Sequence, residues 1–260
     1  MANPSELIIK NRSDISQFLI HLTKDGVFDH YVDTGSDRFL WKSQTVNAED
    51  SLRKILTTYP KPRLVAQSPM GYFKYKIDLP TKVRGGVKPE WLKCVCFSEV
   101  PLVELPSFYQ AVVTKRNEYK KYGLGFWQKT IRLKGGNSVF YIDAGNSSLL
   151  TSVNSLIQGP NLKVFQSMLP FIQEFGPRLF AKPGFVQGQV DFRWEREWRV
   201  IGSFEFNLSD VAFGICPESQ ITVFEGIVQN GFPFLDPDWD YETLKKNLVE
   251  KKATHLLKGF

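Results

Sequence analysis

The run "DFRWEREWRV", residues 191–200, sets Glu195 and Glu197 two positions apart inside a stretch that otherwise reads as a buried strand. Strand alternation sends Glu195, Glu197 and Arg199 to one face and Trp194, Arg196, Trp198 and Val200 to the other. With the tryptophans and the valine turned toward a core, the two carboxylates stand roughly 7 Å apart on the opposite face. On a solvent face they form an ordinary polar surface balanced by Arg199. Lining a cleft, a carboxylate there could stabilise positive charge developing on a substrate, as in glycosyl transfer through an oxocarbenium-like state. The pattern leaves both readings open.

Working outward from this strand, the chain alternates apolar strand-like runs with amphipathic segments. "SDISQFLIHLTK" begins with a polar helix-start signal and runs into a first strand at "FLIHL". "NAEDSLRKILTTY" reads as a helix: Asn47 is a capping residue, acids follow it, and Leu52, Ile55 and Leu56 recur at helical spacing. "KCVCFSEVPL" reads as a strand stopped by Pro101, followed by a helix over "VELPSFYQAVVTKRNEYKKYG". "GLGFW" and "SVFYIDA" read as strands separated by the turn "LKGGN", and "SSLLTSVNSLIQGP" and "KVFQSMLPFIQEFG" as helices. "LVAQSP" is a short strand or turn, Met70 to Pro89 a surface loop, "VAFGIC" a strand and "DYETLKKNLVEKK" a terminal helix. This order predicts an α+β protein, a single domain over residues 1–260 with a mixed, mostly antiparallel sheet and inserted helices.

Composition bounds the function. With 260 residues, 42% of them apolar, the chain can bury a substantial core. No apolar run approaches the roughly 20 residues of a membrane helix, and "MANPSELIIKNRSD" lacks a cationic region leading into an apolar one, so a cytoplasmic protein is expected. The net charge of +6 suits an anionic partner without establishing one. Of the three cysteines, Cys94 and Cys96 share a strand face, and the three histidines are scattered, so neither a metal site nor a disulfide is expected. The patterns GxSxG, GxGxxG and GxxxxGK[ST] are all absent, which sets aside nucleophile-elbow hydrolases and phosphate-binding loops.

Two further places could carry chemistry. His21 and Thr23 fall on one face of the first strand, either as core groups bonded to backbone or as two hydrogen-bonding groups able to hold a sugar hydroxyl. Ser98 and Glu99 end the "VCFSE" strand, where they could cap the following helix or face a site.

In order along the chain, "KCVCFSEVPL", "KYGLGF", "NSVFYI" and "EREWRV" resemble the AbiGi-type bacterial abortive-infection (phage-resistance) proteins over about residues 90 to 200. Ser138 stands where that family tends to have proline. Family members carry an antitoxin label, so the resemblance implies a cognate toxin or antitoxin partner. A more distant resemblance is to ADP-ribosyltransferases of the DarT and poly(ADP-ribose) polymerase type, in the succession "IHLT", "NAEDSLRKIL", "LVA", "VCFSEVPL" and "WEREWRV". That resemblance implies an NAD-dependent transferase acting on a macromolecular acceptor. His21 and Thr23 would bind the adenosine-side ribose, and Phe97 and Ser98 would lie near the nicotinamide. Glu197 would be the catalytic carboxylate, assisted by Glu195. Cys96 departs from the tyrosine often found there, and "LVAQSPMG" lacks the usual glycine. Phe97, Tyr109, Tyr119 and Tyr122 are candidates for the aromatic stacked on nicotinamide, and "FAKPGFVQGQVDF", with Phe185, Gln187 and Gln189, for acceptor recognition.

Overall fold

A computed structural model describes residues 16–33, 39–58, 60–66, 68–69, 89–143, 145–158, 160–177, 189–190 and 193–257. Its strands are β1 (Phe18–Lys24), β2 (Gly26–Asp33), β3 (Phe39–Val46), β4 (Arg63–Leu64), β5 (Ser68–Pro69), β6 (Lys93–Glu99), β7 (Tyr119–Trp127) and β8 (Asn137–Ser138). After these come β9 (Phe140–Asp143), β10 (Ile172–Pro177), β11 (Gln189–Val190), β12 (Glu197–Ile201), β13 (Phe204–Glu205), β14 (Val211–Ile215) and β15 (Phe234–Leu235). The helices are α1 (Ala48–Thr57), α2 (Leu105–Lys115), α3 (Gln128–Leu133), α4 (Ser147–Ser155), α5 (Asn161–Phe165), α6 (Ile221–Ile227) and α7 (Tyr241–Glu250). The protein is α+β with a mixed, mostly antiparallel sheet arrangement. Among the described residues no helix is long and apolar enough to cross a membrane.

Contacts divide the chain into two compact, interleaved units. The first comprises Met1–Arg63, Val100–Trp127 and Phe206–Phe260, and the second Leu64–Glu99 and Gln128–Glu205.

In the first unit β7 pairs antiparallel with β1 and with β14, and β14 pairs parallel with β15. The ladder is packed closely because glycines let aromatic rings lie on the backbone. A Cβ on Gly125 would come 2.4 Å from the Phe213 ring, and one on Gly214 would come 2.1 Å from the Phe234 ring. Phe18 sits edge-on to Phe213 at 5.4 Å, and Phe126 edge-on to Phe206 at 4.9 Å. Helix α1 starts where the sequence places it. Asn47 Oδ1 accepts from Asp50 N at 2.7 Å, and Leu52 and Leu56 are buried. β2 and β3 form an antiparallel hairpin of eight residue pairs that the sequence reading did not anticipate.

In the second unit β6 pairs antiparallel with β12 and with β5, β12 antiparallel with β8, and β10 parallel with β9 and antiparallel with β11. Leu92, Ile142, Val153, Leu169 and Ile172 form its buried cluster, with Trp91, Leu150, Leu156, Ile157 and Leu162 packed against it. The helical insert between β9 and β10 thus supplies both the crossover that a parallel pair requires and, with Val153 and Leu169, part of this core.

Three expected elements differ. Helix α2 stops at Lys115, and "EYKKYG" belongs to β7 or its approach, because pairing with β1 overrides a helical charge pattern. "LKGGN" does not join two strands directly; the short helix α3 precedes it, and the next strand is split at Val139 into β8 and β9. "KVFQSMLPFIQEFG" is helical only to Phe165; after a turn ending at Phe171 it becomes β10, whose parallel pairing with β9 is a contact distant in sequence. Residues 70–88 of the expected surface loop lie outside the described residues.

Candidate functional site

The "RWEREWRV" stretch is a turn followed by a strand. Arg193–Glu195 form a 3-10 turn, Arg196 takes the left-handed conformation at φ 42°, and β12 begins only at Glu197. Alternation therefore does not carry back to Glu195, which is half-buried in the turn and does not share the strand face of Glu197. Glu197 and Arg199 share a face as expected, but that face too is buried, at 7% and 0% exposure; on the other, Val200 is buried and Trp198 half-buried.

Both oxygens of Glu197 are engaged. Arg199 Nε donates to Glu197 Oε1 at 3.0 Å and Nη2 to Oε2 at 2.7 Å. The same guanidinium donates from Nη1 to the carbonyl of Pro170 and from Nη2 to Gln173 Oε1 at 3.0 Å. Glu197 N donates to the Tyr141 hydroxyl at 3.4 Å. Among the described residues the carboxylate face of β12 is buried, its contacts supplied by the turn before β10 and by β9 and β10 of the same unit.

The register of β6 with β12 explains the neighbours. Cys96 is the partner of Arg199, Ser98 of Glu197, and Cys94 of Ile201, so two thiols and a hydroxyl line the same face as the ion pair. Burial pushes the Cys94 thiol up to about 12, with Arg199 opposing the shift and Glu197 adding to it. Cys96 is raised as well, first by burial and then by the Glu197 charge. Burial and the same carboxylate raise the Tyr141 hydroxyl. For Arg199 burial opposes the charge, but the Glu197 carboxylate and its hydrogen bonds outweigh it and hold the guanidinium above its usual range. The thiols are therefore protonated, weakly nucleophilic groups beside the hydrogen-bonded Arg199 and Glu197.

The opposite face of β6 carries a second polar group. Glu99, nearly buried, accepts from Arg196 Nη2 at 2.8 Å and from Trp198 Nε1 at 3.0 Å. Its backbone N also donates to Arg196 O at 3.2 Å, so the left-handed Arg196 is held at both backbone and side chain. Ser98 and Glu99 therefore do not cap α2, whose capping position is Glu104 with no side-chain cap bond. Phe97 shares this face and is fully buried, its ring edge-on to Phe204 at 5.6 Å. Phe97 and Ser98 accordingly point to opposite sides of β6.

The remaining sequence candidates belong to the first unit. Thr23 is buried, and its hydroxyl lies 2.8 Å from Ala48 O and 3.1 Å from Tyr122 O, so its one proton goes to backbone carbonyls. His21 is half-buried on β1, with Leu124 as its pairing partner. Tyr109 is buried on α2, and Tyr119 and Tyr122 lie on β7. The Tyr122 hydroxyl donates to Glu49 Oε2 at 2.9 Å. Of the expected acceptor loop, Phe185 and Gln187 lie outside the described residues and Gln189 is in β11. Among the described residues no group of three or more His, Cys, Asp or Glu could hold a metal ion. Sequence reasoning missed Gln173, Tyr141 and the Pro170 carbonyl, which the parallel pairing of β9 with β10 brings to Arg199 and Glu197. No local pattern signals them.

Ladders and ion pair together define an α+β protein that buries an arginine–carboxylate pair on one strand, bonded by groups of its own chain. Residues 81–224, more than half of the 260, match the family described as "Putative abortive phage resistance protein AbiGi, antitoxin". The chain belongs to that family. No curated protein and no solved structure matches it.

Proposed function

We propose that this protein is the antitoxin of an abortive phage-resistance system and acts by binding a cognate toxin protein rather than by chemistry of its own. Family membership supports the reading. The observation that carries it is the engagement of Glu197: both its oxygens are taken by a fully buried arginine that also donates to the Pro170 carbonyl and to Gln173. A carboxylate acting on a developing cation must be free to face it. Here the charge is spent inside the fold. The test is to express the candidate cognate toxin with and without the present chain. The chain should relieve growth arrest and co-purify with the toxin. Unrelieved arrest together with no complex by gel filtration would overturn the reading.

One observation favours a second reading, an NAD-dependent ADP-ribosyltransferase that modifies a macromolecular acceptor. Ser98 and Glu197 are direct register partners, the proximity that the transferase resemblance implies for the nicotinamide end of a site. In that reading Glu197 is the catalytic carboxylate, with Ser98 beside it at the nicotinamide end. Calorimetry of the wild-type protein with NAD tests it without relying on any variant. Binding, together with nicotinamide release from labelled NAD that falls on the order of 10²-fold in Glu197→Gln, supports it. Absence of heat and of release removes it.

A further inference from the structure

Between Glu118 and Asp143 the chain has no acidic residue and five basic ones. The second unit's part of that run holds α3, the turn that ends it and β8, and it carries Lys129, Arg132 and Lys134, all exposed. Local geometry keeps the three together. Lys129 and Arg132 lie three residues apart on α3 and are neighbours on its surface. Gly135, at φ 85°, then closes the helix: its N donates to Arg132 O at 3.1 Å, and Gly136 N donates to Ile131 O at 2.8 Å. Ile131 is buried, so close to Gly136 that a Cβ there would come 2.4 Å from its side chain. Lys134 Nζ donates to Glu205 O at 2.9 Å. Beyond the turn Asn137 and Ser138 pair with Arg199 and Trp198 of β12 and are exposed. The basic end of α3 is thus a platform fixed to β12. Among the described residues the side chains of Lys129 and Arg132 have no hydrogen-bond or ion-pair partner.

Arg132 and Lys134 suit the negative end of the helix dipole, but Lys129 stands in the first turn of α3, where a cation is unfavourable. Folding alone therefore does not account for the cluster. Composition indicates the occupant. Lysine and serine are depleted where proteins meet proteins, whereas Lys, Arg, Asn and Ser are the side chains that contact phosphate oxygens. Lys129, Arg132, Lys134, Asn137 and Ser138 are that set, exposed within ten residues of chain. We propose that this platform binds the phosphate backbone of a nucleic acid without reading its sequence, each of the three basic side chains neutralising one phosphate. This inference is independent of the toxin-binding reading.

Fluorescence anisotropy with a labelled single-stranded RNA of about 20 nucleotides tests it. The wild type should bind with a Kd on the order of 10 µM near 0.1 M salt, and log affinity should fall against log salt with a slope of about −2, as three phosphates require. Lys129→Glu with Arg132→Glu should weaken binding about tenfold or more and flatten the slope to about −1, while keeping the wild-type melting temperature. Lys245→Glu with Lys246→Glu, at exposed lysines on α7 of the first unit, changes the net charge equally and should leave binding within about twofold. A wild type that does not bind overturns the proposal, and so does a control pair that weakens binding as much as the α3 pair. Polyglutamate of the same length binding as tightly as the RNA would mean an acidic protein partner and overturn it too.

Discussion

Among the described residues Arg199 is the largest fully buried side chain, and it is charged. Burying a guanidinium costs several kcal/mol unless its donors and its charge are matched, and here Glu197, Gln173 and the Pro170 carbonyl match them. Glu197→Gln should therefore destabilise the protein by about 3 to 5 kcal/mol in urea unfolding, because it strands the arginine. Adding Arg199→Met should recover part of that loss. A single variant as stable as the wild type would mean the pair is not structural. At Arg196 the cost lies in the backbone. Its φ of 42° is unfavourable for any residue with a Cβ, and its side chain is tied to Glu99. Arg196→Gly and Arg196→Ala both lose that tie, so any difference between them reports the backbone. The alanine variant should be the less stable by about 1 kcal/mol in the same measurement.

Individual elements are set by a mixture of local and distant causes. Helix α1 could be read from its cap and its apolar spacing, since both act within a few residues. Glu49 in its first turn bonds Arg53 at 2.7 Å and accepts from Tyr122, and these two partners, arginine foremost, hold its carboxyl below the ordinary range. Such a group adds stability that is present above its unfolded pKa, about 4.3, and is lost as pH falls through the lower folded value. Melting curves in the acid range should show the wild type losing its margin over Glu49→Gln as pH drops below about 4. Strand β14 was legible from "VAFGIC", but the need for glycine at its centre was not. Gly214→Ala forces a methyl into the Phe234 ring and should cost about 1 to 3 kcal/mol with no change in the α+β circular dichroism spectrum. The misread elements, the end of α2 and the start of β10, lie where pairing with a strand distant in sequence overrode local preference.

For the whole molecule, the interleaving of two units in one chain means that neither corresponds to a continuous stretch of sequence. If the chain is an antitoxin, the toxin binds its folded form and should raise the melting temperature by mass action, worth about 2.7 kcal/mol at a hundredfold excess over Kd. Differential scanning fluorimetry with purified toxin measures this, and a melting curve that the toxin leaves unmoved counts against the pairing.

The α+β class, the cap and apolar face of α1, β6 and the ordered motifs of the phage-resistance family were in the sequence, because each depends on residues a few positions apart. Whether "EREWR" faces water, a cleft or the interior was not, since alternation gives relative faces but cannot say what packs against them. The tertiary structure decided that: a turn at Arg196 reset the alternation, and a parallel strand pair brought Pro170, Gln173 and Tyr141 over Glu197 and Arg199, contacts that only chain closure over long loops can make.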